Sequence, residues 1–189
     1  GISGSTSSAF YTDLPIIDAI WSGLKHAGAG QQKELKILDP SAGIGHFKSA
    51  CPTDISSNWV EIELDQTTSS ILKVLHPESK VINKGFEEVP LPSNWFDLAV
   101  SNVPFGDIPV FYEDLPKDVR GSIHDFFFAR TIKLLRPGGI MAFITSRYTL
   151  DKQDEKVRSY LDRYTKLLCA IRLPNSAFDK NAGTQVVSD

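Results

Sequence analysis

Cysteine is nearly missing from this 189-residue sequence: Cys51 and Cys169 stand alone, with no Cys-x-x-Cys spacing. That excludes a disulfide framework and a cysteine-based zinc site, and predicts two reduced thiols. His26, His46, His76 and His124 are scattered, so no metal site is expected. No apolar run approaches the roughly 20 residues that a membrane span requires. Residues 1–8 are small and polar, lacking the apolar centre of a signal peptide, and are expected to be a flexible N-terminal segment. A cytoplasmic location follows as an expectation. Strong net charge is also missing, at −3. A chain without a basic excess cannot hold nucleic acid tightly by its own field, because phosphate neutralisation dominates such affinity.

What the sequence does have is enough apolar content, 41%, to bury one sizeable core. Residues 9–189 are predicted to form a single domain. Charge is unevenly divided: up to Pro116 there are 7 Lys and Arg against 15 Asp and Glu, whereas Lys117 to Arg172 hold 12 against 6. The basic half, with Arg120, Arg147, Lys152, Lys156 and Arg158, is expected to form one wall of a path for a phosphate backbone, with a solvated helix face at least as well matched to Lys156, Arg158, Arg163 and Lys166.

Periodicity predicts alternating strands and helices. A helix capped by Thr12 or Asp13 enters at Pro15 and runs to Gly28. Strands are expected near 35–39, 58–64, 80–84, 96–102, 139–145 and 167–173, with helices over 67–75, 123–135 and 155–164. The alternation predicts an α/β fold, a Rossmann-like, doubly wound and mostly parallel sheet with helices on both faces. A long segment from Gly106 to Gly121 is expected to act as a lid.

Two sites of chemistry stand at predicted strand ends. The first is Asp39-Pro40-Ser41-Ala42-Gly43-Ile44-Gly45-His46-Phe47, a strand leading through a glycine turn into a helix, where a ligand can approach the backbone closely. Lys48 occupies the place of the third glycine of a dinucleotide fingerprint, which disfavours NAD. The next strand ends at Glu63 and Leu64, at the spacing where a carboxylate accepts the ribose hydroxyls of a nucleotide-like cofactor. The second site is Asn102-Val103-Pro104-Phe105, after the buried run Leu98 to Val100. An aryl amine is a weak nucleophile because its lone pair is delocalised. Acceptors gripping its hydrogens, here the Asn102 side chain and the residue 103 carbonyl, favour a pyramidal and more nucleophilic nitrogen, and Phe105 would stack on the ring. An ordinary strand-ending turn with a core phenylalanine reads the same way.

Together these segments resemble the class I, S-adenosylmethionine-dependent adenine-N6 DNA methyltransferases with an Asn-Pro-Pro-Phe or Asn-Pro-Pro-Tyr motif. The likeness runs from Ala9 onward. Ser122 to Phe127, Phe143 to Tyr148 and Arg172 to Phe178 are similar to the methylase module of large plasmid and phage methylase-helicase proteins. The resemblance implies S-adenosylmethionine as cofactor, S-adenosylhomocysteine as product, no metal, and DNA as partner, gripped mainly by domains outside this chain, with a covalently linked helicase among them. It assigns Phe10, Tyr11, Thr12, Asp39, Pro40, Ser41, Gly43, Gly45, Phe47, Glu63, Leu64, Phe86 and Glu87 to the cofactor. Asn102 to Phe105 are assigned to catalysis, and Phe178 and Arg147 to the substrate. Two positions depart from the family. Val103 replaces a proline, so Val103→Pro is expected to be tolerated. Gly85 replaces an aspartate that contacts the cofactor's adenine, leaving that contact to Glu87 or a backbone carbonyl.

Rival readings are a methyltransferase acting on RNA guanine or protein glutamine, and a non-catalytic module that binds cofactor or nucleic acid. Met141 is the only methionine, and a new strand is expected to begin at Val186, so an excised piece of a larger protein is expected.

Overall fold

The computed structural model describes residues 12–31, 34–105, 110, 112, 115–116, 122–174 and 177. Five strands, β1 (Leu35–Asp39), β2 (Ser57–Ile62), β3 (Lys80–Ile82), β4 (Phe96–Asn102) and β5 (Leu135–Ile144), form one sheet in the order β3-β2-β1-β4-β5. Every pairing is parallel. Helices α1 (Leu14–His26), α2 (His46–Ser49), α3 (Gln66–Leu75), α4 (Ile123–Leu134), α5 (Tyr148–Asp151) and α6 (Lys156–Tyr164), with a 3-10 turn at Phe86–Glu88, fill the connections. The expected α/β, doubly wound architecture is present.

Its cause is visible in the central strands, which are apolar on both faces as a covered parallel sheet requires. Ile37, Leu98 and Val100 pack with Ile17, Trp21 and Leu24 of α1, three residues spaced four and three apart on one helical face. Leu38 and Ala99, one step along the pleat, pack on the other side with Phe86, Phe126 and Phe127. Each such buried side chain contributes about 1.5–3 kcal/mol. Trp21 also donates from Nε1 to the Phe47 carbonyl at 3.0 Å, tying α1 to α2, so Trp21→Ala would cost about 3–5 kcal/mol. Inside the second layer, the buried Arg130 guanidinium lies 4.5 Å from the Phe86 ring centre and 4.4 Å from that of Tyr112. An arginine is tolerated there because its planar, weakly hydrated head stacks on aromatic faces and donates to the Val89 carbonyl.

Two expectations change. No strand forms over 167–173: residues 165–174 lie outside the sheet, and Leu167, Leu168 and Ile171 are 65–70% exposed. An apolar run supplies strand composition, but a strand exists only with a ladder partner, and among the described residues none reaches this segment. β5 begins at Leu135, directly after α4 and ahead of Pro137-Gly138-Gly139, with a register shift between Phe96 and Leu98 absorbing the early start. The end of α4 is held there by two backbone bonds, Asn94 N to Lys133 O at 3.0 Å and Trp95 N to Leu134 O at 2.8 Å. The N-cap of α1 is Asp13, one of the two expected positions, although its side chain makes no capping bond. The expected N-terminal segment and most of Gly106–Gly121 lie outside the described residues.

Candidate active site

All five strands point the same way, and the chain steps from β1 to β2 and β3 on one side but places β4 and β5 on the other. The crevice outside the carboxyl ends of β1 and β4 is therefore a topological switch point, where open α/β sheets hold ligands. Asp39 ends β1 and Asn102 ends β4.

Asp39 is fully buried. Its Oδ1 accepts from the Ser101 hydroxyl at 2.7 Å and from the Ser41 N–H at 3.2 Å. Its Oδ2 is buried with no hydrogen-bond partner among the described residues. Burial pushes the carboxyl up to about 8, opposed by the Ser101 hydroxyl and reinforced by Glu61. Ser101 was not anticipated. It immediately precedes Asn102, and it joins the strand carrying the amide to the glycine loop.

That loop runs from Pro40, which is buried, and Ser41, which is half-buried, to Gly45, and is fixed by Ala42 N to Ile62 O and Gly45 N to Ala42 O, both 2.9 Å. The two glycines have different work. A Cβ on Gly45, at φ 81°, would lie 2.3 Å from His76 Cε1 and 2.6 Å from Leu72 Cδ1, so this glycine lets the loop rest on α3. A Cβ on Gly43, at φ 56°, would meet nothing within 4 Å, and this glycine borders the open side. Phe47 departs from its expected role. It sits in the core against α1, because the first turn of α2 turns it inward.

Glu63 follows β2. Its Oε2 accepts from Gly43 N and its Oε1 from Asp65 N, each at 2.8 Å. Burial nevertheless raises its carboxyl above the ordinary range, against those two bonds. Each oxygen keeps a second lone pair for a ligand's hydroxyl. Asn83 Nδ2 donates to the carbonyls of Glu63 and Leu64 at 2.8 and 2.9 Å, while the Leu64 side chain is exposed. Beneath the loop lies a second unanticipated arrangement. His76 Nδ1 is 3.0 Å from both oxygens of the fully buried Glu61, and its Nε2 is 3.1 Å from Ser49 Oγ. The strand spacing of two between Glu61 and Glu63 was the available signal, since it puts both acids on one face.

Phe86 is also core rather than surface: Phe126 and Phe127 pack on it at 5.7 and 5.1 Å between ring centres, with Arg130 over one face. Next to it, a Cβ on the buried Gly85 would lie 2.4 Å from Glu87 Oε1 and 2.7 Å from Glu87 Cδ. The Glu87 carboxylate thus fills the volume that a side chain at position 85 would enter.

On the other side of the crevice, Asn102 is half-buried and is the register partner of Ile144. Val103 is buried, and its N–H donates to the Ile144 carbonyl at 3.0 Å. Proline here would forfeit that bond, because it has no N–H to give, so its tolerance carries a cost the sequence did not show. Pro104 and Phe105 are half-buried, Phe105 packing on the α1 side of the sheet. Arg147 is exposed at the N-cap of α5. Thr12 is buried just ahead of α1, whereas Phe10, Tyr11 and Phe178 lie outside the described residues.

The fold recurs in solved structures. A candidate class I S-adenosylmethionine-dependent methyltransferase of Listeria monocytogenes superposes with a TM-score of 0.78 over 96% of this chain and 60% of its own, at 18% identity. The fold is the class I methyltransferase fold. A candidate sarcosine dimethylglycine methyltransferase of Galdieria sulphuraria matches at TM-score 0.55 and 19% identity, over 79% of this chain and 54% of its own. The [4+2]-cyclase SpnF matches at 0.57 and 14%, over 87% and 61%. This chain therefore spans only 54–61% of the length of these three structures. No protein-family model matches the sequence, and no curated protein matches it. A class I methyltransferase fold that also serves a cyclase leaves the reaction to be argued from the site.

Proposed function

We propose that the chain transfers a methyl group from S-adenosylmethionine to the exocyclic amino group of adenine in DNA. The observation that carries this reading is the position of Asn102-Val103-Pro104-Phe105 at the switch point, linked through Ser101 to Asp39 of the glycine loop. Three features fit the cofactor: the unsatisfied buried Asp39 oxygen, the open side of Gly43, and a part-buried acid after β2. Glu63 would accept the ribose hydroxyls. Glu87, standing in the volume of the missing aspartate at Gly85, would accept from the adenine amino group, and Asp39 would face the cationic methionine end. When bound, S-adenosylmethionine supplies an activated methyl on a sulfonium. The protein's task is then placement, worth about 7–11 kcal/mol without a strong base.

On the acceptor side, Asn102 Oδ1 and the Val103 carbonyl accept from the two amine hydrogens and favour the pyramidal nitrogen. A duplex base must first be flipped out, at a few kcal/mol. Stacking on Phe105 at about 1–3 kcal/mol and two hydrogen bonds at about 1 kcal/mol each offset that. Adenine in DNA is favoured over guanine in RNA or glutamine in protein by the motif resemblance in Ser122–Phe127 and Phe143–Tyr148 and by the basic half of the chain. Methyl incorporation into DNA, RNA and protein acceptors, by the wild type and Asn102→Ala, tests the reading. Label entering DNA only with Asn102 intact supports it, and label entering protein or RNA instead overturns it.

A further inference from the structure

Beyond the register pair Asn102–Ile144, the chain leaves β5 through Thr145 and Ser146, both buried, and turns into α5. Thr145 Oγ1 and Thr149 Oγ1 share a hydrogen bond at 2.7 Å, and Thr149 N donates to Ser146 O at 3.0 Å, so the turn is fixed from inside. Outside it, Tyr148 is 54% exposed, with the Arg147 guanidinium 5.1 Å from its ring centre. Neighbouring cations are committed: Arg172 bonds both oxygens of Asp151 at 3.0 Å, and Lys152 reaches the buried Asp125 at 3.3 Å. Among the described residues no carboxylate lies within 4.0 Å of Arg147. The molecule has a similar exposed pair, Lys36 3.5 Å over Trp95, at the amino end of the sheet. Placement, not the pairing itself, distinguishes Arg147–Tyr148.

We propose that Arg147 and Tyr148 form a stacking platform for an unpaired base flanking the methyl acceptor, so that this face takes single-stranded nucleic acid. The proposal rests on the acceptor reading above. On a nucleic acid an exposed ring stacks on a base face, and a duplex buries its base faces in its own stack. Every base has such a face, so the platform is tolerant of sequence. Arg147 lies over one side of the ring and donates to the Tyr148 hydroxyl at 3.4 Å, leaving the opposite ring face for a base while its charge attracts the adjoining phosphate.

The test is fluorescence anisotropy of a short labelled single strand, and of the same strand annealed into duplex, across a salt series. Tyr148→Ala should weaken single-strand binding roughly 10–100-fold, which is the size of one stacked base, with the salt slope unchanged. Tyr148→Phe should bind within about threefold of wild type, since the ring face is retained. Arg147→Ala should reduce the slope by about one phosphate contact. Trp95→Ala, away from the crevice, should change nothing. Wild-type affinity in Tyr148→Ala, a loss in Tyr148→Phe equal to that in Tyr148→Ala, or no single-strand binding by the wild type would each overturn the platform. Methyl incorporation run alongside separates the two readings. If Tyr148→Ala loses strand binding while the wild type methylates no nucleic acid, the platform stands and the acceptor reading falls. If the wild type methylates DNA and Tyr148→Ala matches it in both assays, only the platform falls.

Discussion

The two sides of the crevice are built differently. At the ends of β1 and β2, three acids, Asp39, Glu61 and Glu63, are buried or half-buried and fixed by hydrogen bonds from Ser101, Ser41, His76, Gly43 and Asp65. At the ends of β4 and β5 stand an amide, a half-buried ring and an exposed arginine–tyrosine pair. The first side suits one unvarying cationic ligand whose shape is known in advance. The second suits a partner that arrives in many sequences and must be admitted before it is gripped.

That contrast is broken most severely at Asn102. Asn102→Ala should lower kcat by roughly 10²–10³-fold, the usual loss for one preorganised polar group at a reacting centre, while calorimetry finds cofactor affinity within a few-fold of wild type. Loss of cofactor binding in this variant would show that the sides are not separate. The two glycines sharpen the same division. Gly45→Ala forces a Cβ into His76 at a left-handed φ and should cost about 2–4 kcal/mol in denaturant unfolding. Gly43→Ala meets no atom, so its cost should stay near about 1–2 kcal/mol and appear mainly as weakened cofactor binding.

Glu63→Ala removes charge-assisted bonds and should weaken S-adenosylmethionine about 10–100-fold by calorimetry, leaving single-strand binding unchanged. Asp39 tests the charge of the first side. Its folded value of about 8 exceeds the ordinary 3.8, so the native state holds the extra proton across that window. Its contribution to stability is therefore fully present below about 4 and is lost as pH rises toward 8. Asp39→Asn should flatten this dependence and raise stability at pH 8 by about 1–3 kcal/mol, with relaxation taking up part of the full shift. Thermal unfolding across the pH range reads it out. A cation bound beside Asp39 should also expel its proton, seen as a dependence of binding enthalpy on the buffer's ionisation enthalpy. Smallest is Val103→Pro, which should cost about 1 kcal/mol by stranding the Ile144 carbonyl while keeping the residue 103 carbonyl available.

Much of this was legible in the sequence because it depends on local pattern. The apolar runs of β1 and β4, the Asp39–Gly45 turn and the placement of Asn102 at a strand end follow from periodicity and turn chemistry, and the fold agrees with them. What was not legible depends on partners distant in sequence. Glu61 and His76 meet across 15 residues, Ser101 and Asp39 across 62. Phe47 and Phe86 have the composition of ligand-stacking rings, but neighbouring elements close over them. The run at 167–173 has the composition of a strand and lacks a strand beside it.

The direct junction of α4 with β5, clamped at its base by the amides of Asn94 and Trp95, bears on how such a chain can diversify. β4, α4 and β5 are held together below the crevice, and Val103 and Ser122 are both buried where the chain leaves and rejoins this frame. Between these two anchors, Leu115 is buried in the same cluster and Tyr112 packs on Phe126 beneath the Arg130 guanidinium, so the chain is also pinned to the frame at these points. Doubling such a loop costs only about 0.6 kcal/mol in closure entropy. An insertion placed away from Tyr112 and Leu115 would therefore leave the β4–α4–β5 frame undisturbed.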